Sequence, residues 1–165
     1  MLNKVDTPMD LFTHKLGAAL TMEQTVLKML AELEDEARHE ELKQLFRHHA
    51  EETSEQISNL ERAFAALGQE PDEKPCPAIK ALRVEGKANI ELTNGDFVED
   101  VVLAAATETE HHEIAVYEEL ITYAEAMGRQ DVAALLRENL EQEQHALEEV
   151  RRAAERIAKE TLQPA

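Results

Sequence analysis

The sequence predicts an all-α protein, a four-helix bundle with one long crossover, and three observations carry that prediction. Ala, Leu, Glu and Gln dominate the composition, aromatic residues make up only 4% and Trp is absent, which is a helix-forming mixture. Apolar residues recur at helical spacing through four long stretches. The five Gly and five Pro fall at a few places, so the breaks between helices are few.

The first helix, about 8–36, starts at Thr7-Pro8-Met9-Asp10, a capping hydroxyl, a proline suited to the first helical position and an acid in the first turn. Its stripe runs through Phe12, Leu16, Leu20, Val26, Leu27, Leu30 and Leu33. A second stripe runs through Leu42, Leu45, Phe46, Ile57, Leu60, Phe64 and Leu67. At about 100° per residue the second stripe is out of phase with the first by roughly a quarter turn. One straight helix would not give that shift, so a break is expected near Glu36–Glu40, where no Gly or Pro marks it. The second helix, about 40–67, ends at Gly68.

The crossover, 69–96, opens with Pro71, Pro75 and Pro77, which exclude a helix interior. A short fifth helix follows over 78–92 with Ile79, Leu82 and Ile90 turned inward, then the turn Thr93-Asn94-Gly95-Asp96, which ends in a cap. The next long helix spans about 97–127 and ends at Gly128; the last, about 131–158, is capped by Asp131. Antiparallel neighbours need only about 2–8 linking residues. A connection as long as 69–96 suits crossing the whole length of a bundle, which is ferritin-like connectivity. The two hairpins match in length and pattern, as an internal duplication would.

The chain has 165 residues, enough for a single domain, 1–165, with one core. No stretch approaches the roughly 18 apolar residues of a membrane span. The N-terminal residues lack the basic and apolar blocks of a secretory signal. Cys76 is the single cysteine, which excludes an internal disulfide framework and fits a reducing cytoplasm. The net charge of −18 disfavours nucleic acid and anionic membranes as partners and suits cations, although most such charges serve as a solvated surface.

The functional signal lies where acids and imidazoles interrupt the stripes. Glu23 falls on the core line of the first helix between Leu20 and Leu27. Glu110 falls on the line Leu103, Ile114, Tyr117, Ile121 of the third long helix, and Glu143 lies between Leu140 and Leu147 in the fourth. In the second, His49 lies between Phe46 and Thr53, and Glu52 lies seven after Leu45. Burying one unpaired carboxylate costs several kcal/mol or neutralises it, and converging carboxylates also repel one another. Bound cations remove both penalties, and a carboxylate-bridged pair of divalent ions is the usual solution inside a bundle. One such Glu alone is equally well a boundary residue whose stem packs while its head reaches water. Four on four helices at matching depth point to a metal site.

Glu113, one turn after Glu110, is a second candidate ligand from its helix, or a rim carboxylate. His111 is placed at the edge of the site; His14, His39, His48 and His145 are placed at the surface. Thr53 and Gln56 either hold ligands by hydrogen bonds or simply pack. Tyr117 fills the core or hydrogen-bonds a ligand, and Cys76 has no assigned role.

These residues give the chain a resemblance to the YciE/YciF family of bacterial stress-associated ferritin-like proteins. Its carriers are Asp10-Leu11-Phe12, Met22-Glu23-Gln24, His49-Ala50-Glu51-Glu52-Thr53 with Gln56, Pro75-Cys76, Glu143 and, most specific, the string from Glu110-His111-His112-Glu113 to Tyr117. The resemblance covers nearly the whole chain and implies a ferritin-like bundle, a homodimer and a dinuclear metal site. The chain departs from the wider Glu-x-x-His pattern of ferritins and rubrerythrins. Glu55 stands three after Glu52, and Ala146 three after Glu143, so His49 is the one nitrogen donor offered by the second helix.

The expectation is therefore two divalent ions per chain, iron first, with manganese or zinc as alternatives, held by Glu23, His49, Glu52, Glu110, Glu113 and Glu143. The expected role is stress defence through peroxide or oxygen chemistry, as a peroxidase or ferroxidase, or through iron sequestration. The alternative is a helical interaction protein whose metal site is structural or vestigial.

Overall fold

The computed structural model describes residues 5–162. Five α-helices follow one another: α1 Pro8–Glu36, α2 Glu40–Ala66, α3 Pro77–Leu92, α4 Val98–Ala126 and α5 Gln130–Thr161, with one 3₁₀ turn, Gly95–Phe97, before α4. The long helices α1, α2, α5 and α4 form a ring in that order, each packed on the next, and α3 lies against α4 and α1. This is the ferritin-like four-helix bundle with one long crossover carrying a short fifth helix.

The start of α1 is the expected capping box: the Asp10 amide donates to Thr7 Oγ1 at 3.1 Å and the Thr7 amide to Asp10 Oδ2 at 3.0 Å. Helices α2 and α4 each end at a glycine of positive φ, Gly68 at 71° and Gly128 at 72°, where a Cβ would be strained. The break between α1 and α2 is made by a tertiary contact. Buried Glu99, at the start of α4, accepts from the amides of Arg38 and His39, each at 2.7 Å, and pairs with His39 Nδ1 at 2.5 Å. Those donors would otherwise be orphaned at a helix start. They outweigh burial and hold the Glu99 carboxyl below its usual range.

The crossover is fastened to α1 where Lys74 N donates to the Gly17 carbonyl at 3.0 Å. A Cβ on Gly17 would stand 2.1 Å from the Asp72 carbonyl oxygen, so only glycine allows that approach. Ile79 is fully buried beneath α3, with Leu82 and Ile90 partly so.

Three local expectations are corrected. Asp131 does not cap α5, which begins one residue earlier; it lies in the first turn and pairs with Arg129 at 2.7 Å. The expected cap before α4 is replaced by the 3₁₀ turn, with no side-chain cap bond. The last helix also runs three residues past 158, because Ile157 still packs into the core and Thr161 Oγ1 donates to Asp100 at 3.0 Å.

Candidate metal centre

Four helices bring five ionisable side chains into one interior layer: Glu23 from α1, His49 from α2, Glu110 and Glu113 from α4, and Glu143 from α5. Each is at most 3% exposed. The i, i+3 spacing of Glu110 and Glu113 puts both on the inner face of α4. One ligand atom from each of His49, Glu110, Glu113 and Glu143 lies within 4.8 Å of the others. His49 Nε2 stands 3.2 Å from Glu110 Oε1 and 3.6 Å from Glu143 Oε2, yet makes no aligned hydrogen bond to either. Groups directed at a common point between them, instead of at one another, are arranged in this way.

Burial dominates the electrostatics. It raises Glu113 and Glu143 well above the ordinary carboxylate range, helped by the charges of their neighbours. Glu23 is carried from 4.5 to about 7 by burial, even though the Glu113 carboxyl abuts it, Tyr117 donates to it and His49 attracts it. Burial opposes the charge on His49, but Glu110, Glu52 and Glu143 together push its pKa well above the ordinary value. Buried oxygens or nitrogens with no protein partner remain on Glu23, His49, Glu110, Glu113 and Glu143. A divalent cation satisfies such orphaned acceptors and cancels their repulsion, so the residues present fit a metal ion.

Not every predicted ligand joins the tight group. Glu52 stands at the edge, 16% exposed, with Oε2 3.4 Å from His49 Nδ1, and His49 holds its carboxyl below the usual range. There it faces Nδ1 of the imidazole, while Nε2 faces Glu110 and Glu143. Glu23 lies outside that group of four, beside Glu113 and Tyr117. His111 faces solvent against Arg151, away from the edge of the site where it was expected. His14, His39, His48 and His145 are at the surface. Leu27 and Ile114, expected in the core lines, are only partly buried. Thr53 and Gln56 are fully buried, and Thr53 Oγ1 is spent on the His49 carbonyl at 2.8 Å.

Tyr117 both fills the core and serves the cluster, since its hydroxyl donates to Glu23 Oε1. Two buried groups went unnoticed in the sequence. Asn139 on α5 donates to the Tyr117 hydroxyl at 3.0 Å and to the Gln56 carbonyl at 3.2 Å; Asn59 on α2 donates to Asn139 Oδ1 at 2.8 Å. The signal was present: Asn139 is three after Leu136 and four before Glu143 on the same core line.

The fold and this cluster define a ferritin-like helical protein with a buried histidine–carboxylate group able to hold a metal ion. The chain belongs to the family described as domain of unknown function DUF892, whose model matches residues 7–163. It is 36% identical over 136 residues to protein YciF of Escherichia coli strain K12, covering 81% of this chain and 82% of that one. The crystal structure of the E. coli stress protein YciF matches with a TM-score of 0.87 at 29% identity, over 93% of this chain and 98% of that one. YcfI of Rhodopseudomonas palustris, provisionally described as a structural protein, matches with a TM-score of 0.88 at 33% identity, over 92% and 97%. A protein of Xanthomonas campestris matches at 0.74 with 25% identity, over 94% and 95%. Among the described residues no helix is long and apolar enough to cross a membrane.

Proposed function

We propose that this protein binds a pair of divalent ions, iron foremost, between its four long helices and uses them in stress defence. The observation that carries the reading is the convergence of His49, Glu110, Glu113 and Glu143 on one buried point with their acceptor atoms unpaired. Those four residues would hold one ion. Glu23 beside Glu113 would hold the second, with Glu113 or Glu143 shared between the two. Oxygen donors with a single imidazole suit iron or manganese, with zinc as an alternative. Held by these residues, a pair of redox-active ions would supply electrons to peroxide or oxygen. The chain's own residues keep the centre dry, bring its carboxylates together and, through Glu52, fix the imidazole. The description of the E. coli relative as a stress protein supports the biological setting.

The test is anaerobic loading with Fe(II) followed by metal analysis. About two ions per chain are expected, and well under one overturns the proposal. A second reading, a structural metal that ties the hairpins together, draws on the lone nitrogen donor and on the description of YcfI as structural. The two readings separate when Fe(II)-loaded protein meets hydrogen peroxide. Catalytic loss of peroxide supports the first; no turnover, with zinc bound at least as tightly as iron, supports the second.

A further inference from the structure

One line of hydrogen bonds runs from the solvent to the buried cluster, and every donor in it points inward. Arg62 Nη1, on the exposed side of α2, donates to Asn59 Oδ1 at 2.8 Å. Asn59 Nδ2 donates to Asn139 Oδ1 at 2.8 Å, with Glu138 Oε2 also 3.3 Å away. Asn139 Nδ2 donates to the Tyr117 hydroxyl at 3.0 Å, and that hydroxyl donates to Glu23 Oε1. The direction is forced. A guanidinium only donates, so Asn59 must turn its carbonyl oxygen outward and its amide nitrogen inward. Asn139 must then accept with its oxygen and donate with its nitrogen. The Tyr117 oxygen accepts from Asn139, which leaves its one proton for Glu23. Turning either amide over would set nitrogen against nitrogen in a buried seam and leave donors unpaired.

The consequence falls on Glu23. Its Oε1 is committed to Tyr117, while Oε2 is buried and has no protein partner. Oε2 is therefore the oxygen left without a protein partner to meet an ion, and the Tyr117–Asn139–Asn59 chain fixes the plane in which it is presented. The line begins at a surface cation and ends at the buried Glu23 carboxyl, with each donor aligned toward that group.

We infer that Arg62, Asn59 and Asn139 are positioning residues of the metal centre, which act through Tyr117 to hold Glu23 as a ligand through a single oxygen. This inference rests on the metal-centre reading of the cluster. Groups behind a metal ligand commonly govern affinity by about tenfold to a hundredfold.

The probe is Co(II), whose visible absorption reports both occupancy and coordination number in one titration. Tyr117→Phe and Asn139→Leu should weaken Co(II) binding by about tenfold or more and change the band shape, because a released Glu23 binds through both oxygens. Arg62→Leu should weaken binding several-fold at unchanged melting temperature, and Arg62→Lys, which keeps a donor and the charge, should recover most of it. Wild-type protein that takes up no Co(II) overturns the metal-centre reading and this inference with it. Wild-type binding with the same affinity and spectrum in Arg62→Leu and Asn139→Leu overturns the inference alone. If Asn139→Leu does not fold, the Arg62 pair decides, because that side chain lies on the surface.

Discussion

Glu23→Gln separates a metal ligand from a structural acid, and the structure fixes both sign and size. Burial carries the Glu23 carboxyl from 4.5 to about 7. At about 1.4 kcal/mol per pKa unit, ionising it in the folded chain at pH 8 costs on the order of 3 kcal/mol relative to the unfolded chain. The amide keeps an oxygen to accept from Tyr117 and places its NH₂ against Glu113, where like charges now abut. In metal-free protein the substitution should therefore stabilise, by an amount on the order of 1–3 kcal/mol after local relaxation. For a domain of this size that raises the melting temperature by roughly 5 °C. With metal the sign reverses, since an amide is a poor ligand and the stabilisation from binding the folded state is lost. Glu110→Gln and Glu143→Gln should also lose metal. Glu148→Gln, at an exposed acid paired one helical turn away with Arg152, should leave metal content alone and shift stability by about 0.5 kcal/mol or less. The assay is calorimetry at pH 8 with chelator and with Mn(II), beside metal analysis of each variant. A melting temperature that falls in both states would refute the reasoning, as would metal content equal to that of the Glu148 control.

The same structure dictates three further outcomes. Glu23, Glu113, Glu143 and His49 all have raised pKa values in the folded chain, so the metal-free fold binds more protons than the unfolded chain. Its stability should fall as pH rises from 4.5 through about 7, the interval set by Glu23, so chelated protein should melt higher at pH 5 than at pH 8; a flat or opposite profile contradicts the cluster electrostatics. Glu99→Leu removes the acceptor of two backbone amides and should cost about 3 kcal/mol in urea denaturation at pH 7. The Glu99 carboxyl is depressed, so its contribution is present above pH 4.5, is lost as pH falls below that, and the difference from wild type should narrow in acid. Gly17→Ala forces a Cβ against the Asp72 backbone and should destabilise by roughly 1–3 kcal/mol, whereas a helical Gly→Ala change in open space would stabilise; a raised melting temperature would show that the crossover is not fastened there.

The sequence by itself determined the features that arise from local chemistry and helical period. The capping box at Thr7, the glycines that end α2 and α4, the prolines of the crossover and the phase shift between the first two stripes each act within a few residues, so each could be read in one dimension. The inward acids could be read for the same reason: Glu23, Glu110 and Glu143 sit on apolar lines, and a helix has one buried face. Tertiary structure alone decided what depends on how the helices meet. Glu52 and Glu113 both stand one turn from another predicted ligand, yet Glu113 is fully buried in the cluster and Glu52 is at its rim, because helix rotation and depth are set by packing against α1 and α5. The α1–α2 break carries no Gly or Pro because its donors are satisfied by Glu99, some sixty residues away in the chain. The line from Arg62 to Glu23 joins side chains of four helices. Its order exists only once the bundle has closed, because a hydrogen bond is specified by the position of two atoms and not by the identity of either residue.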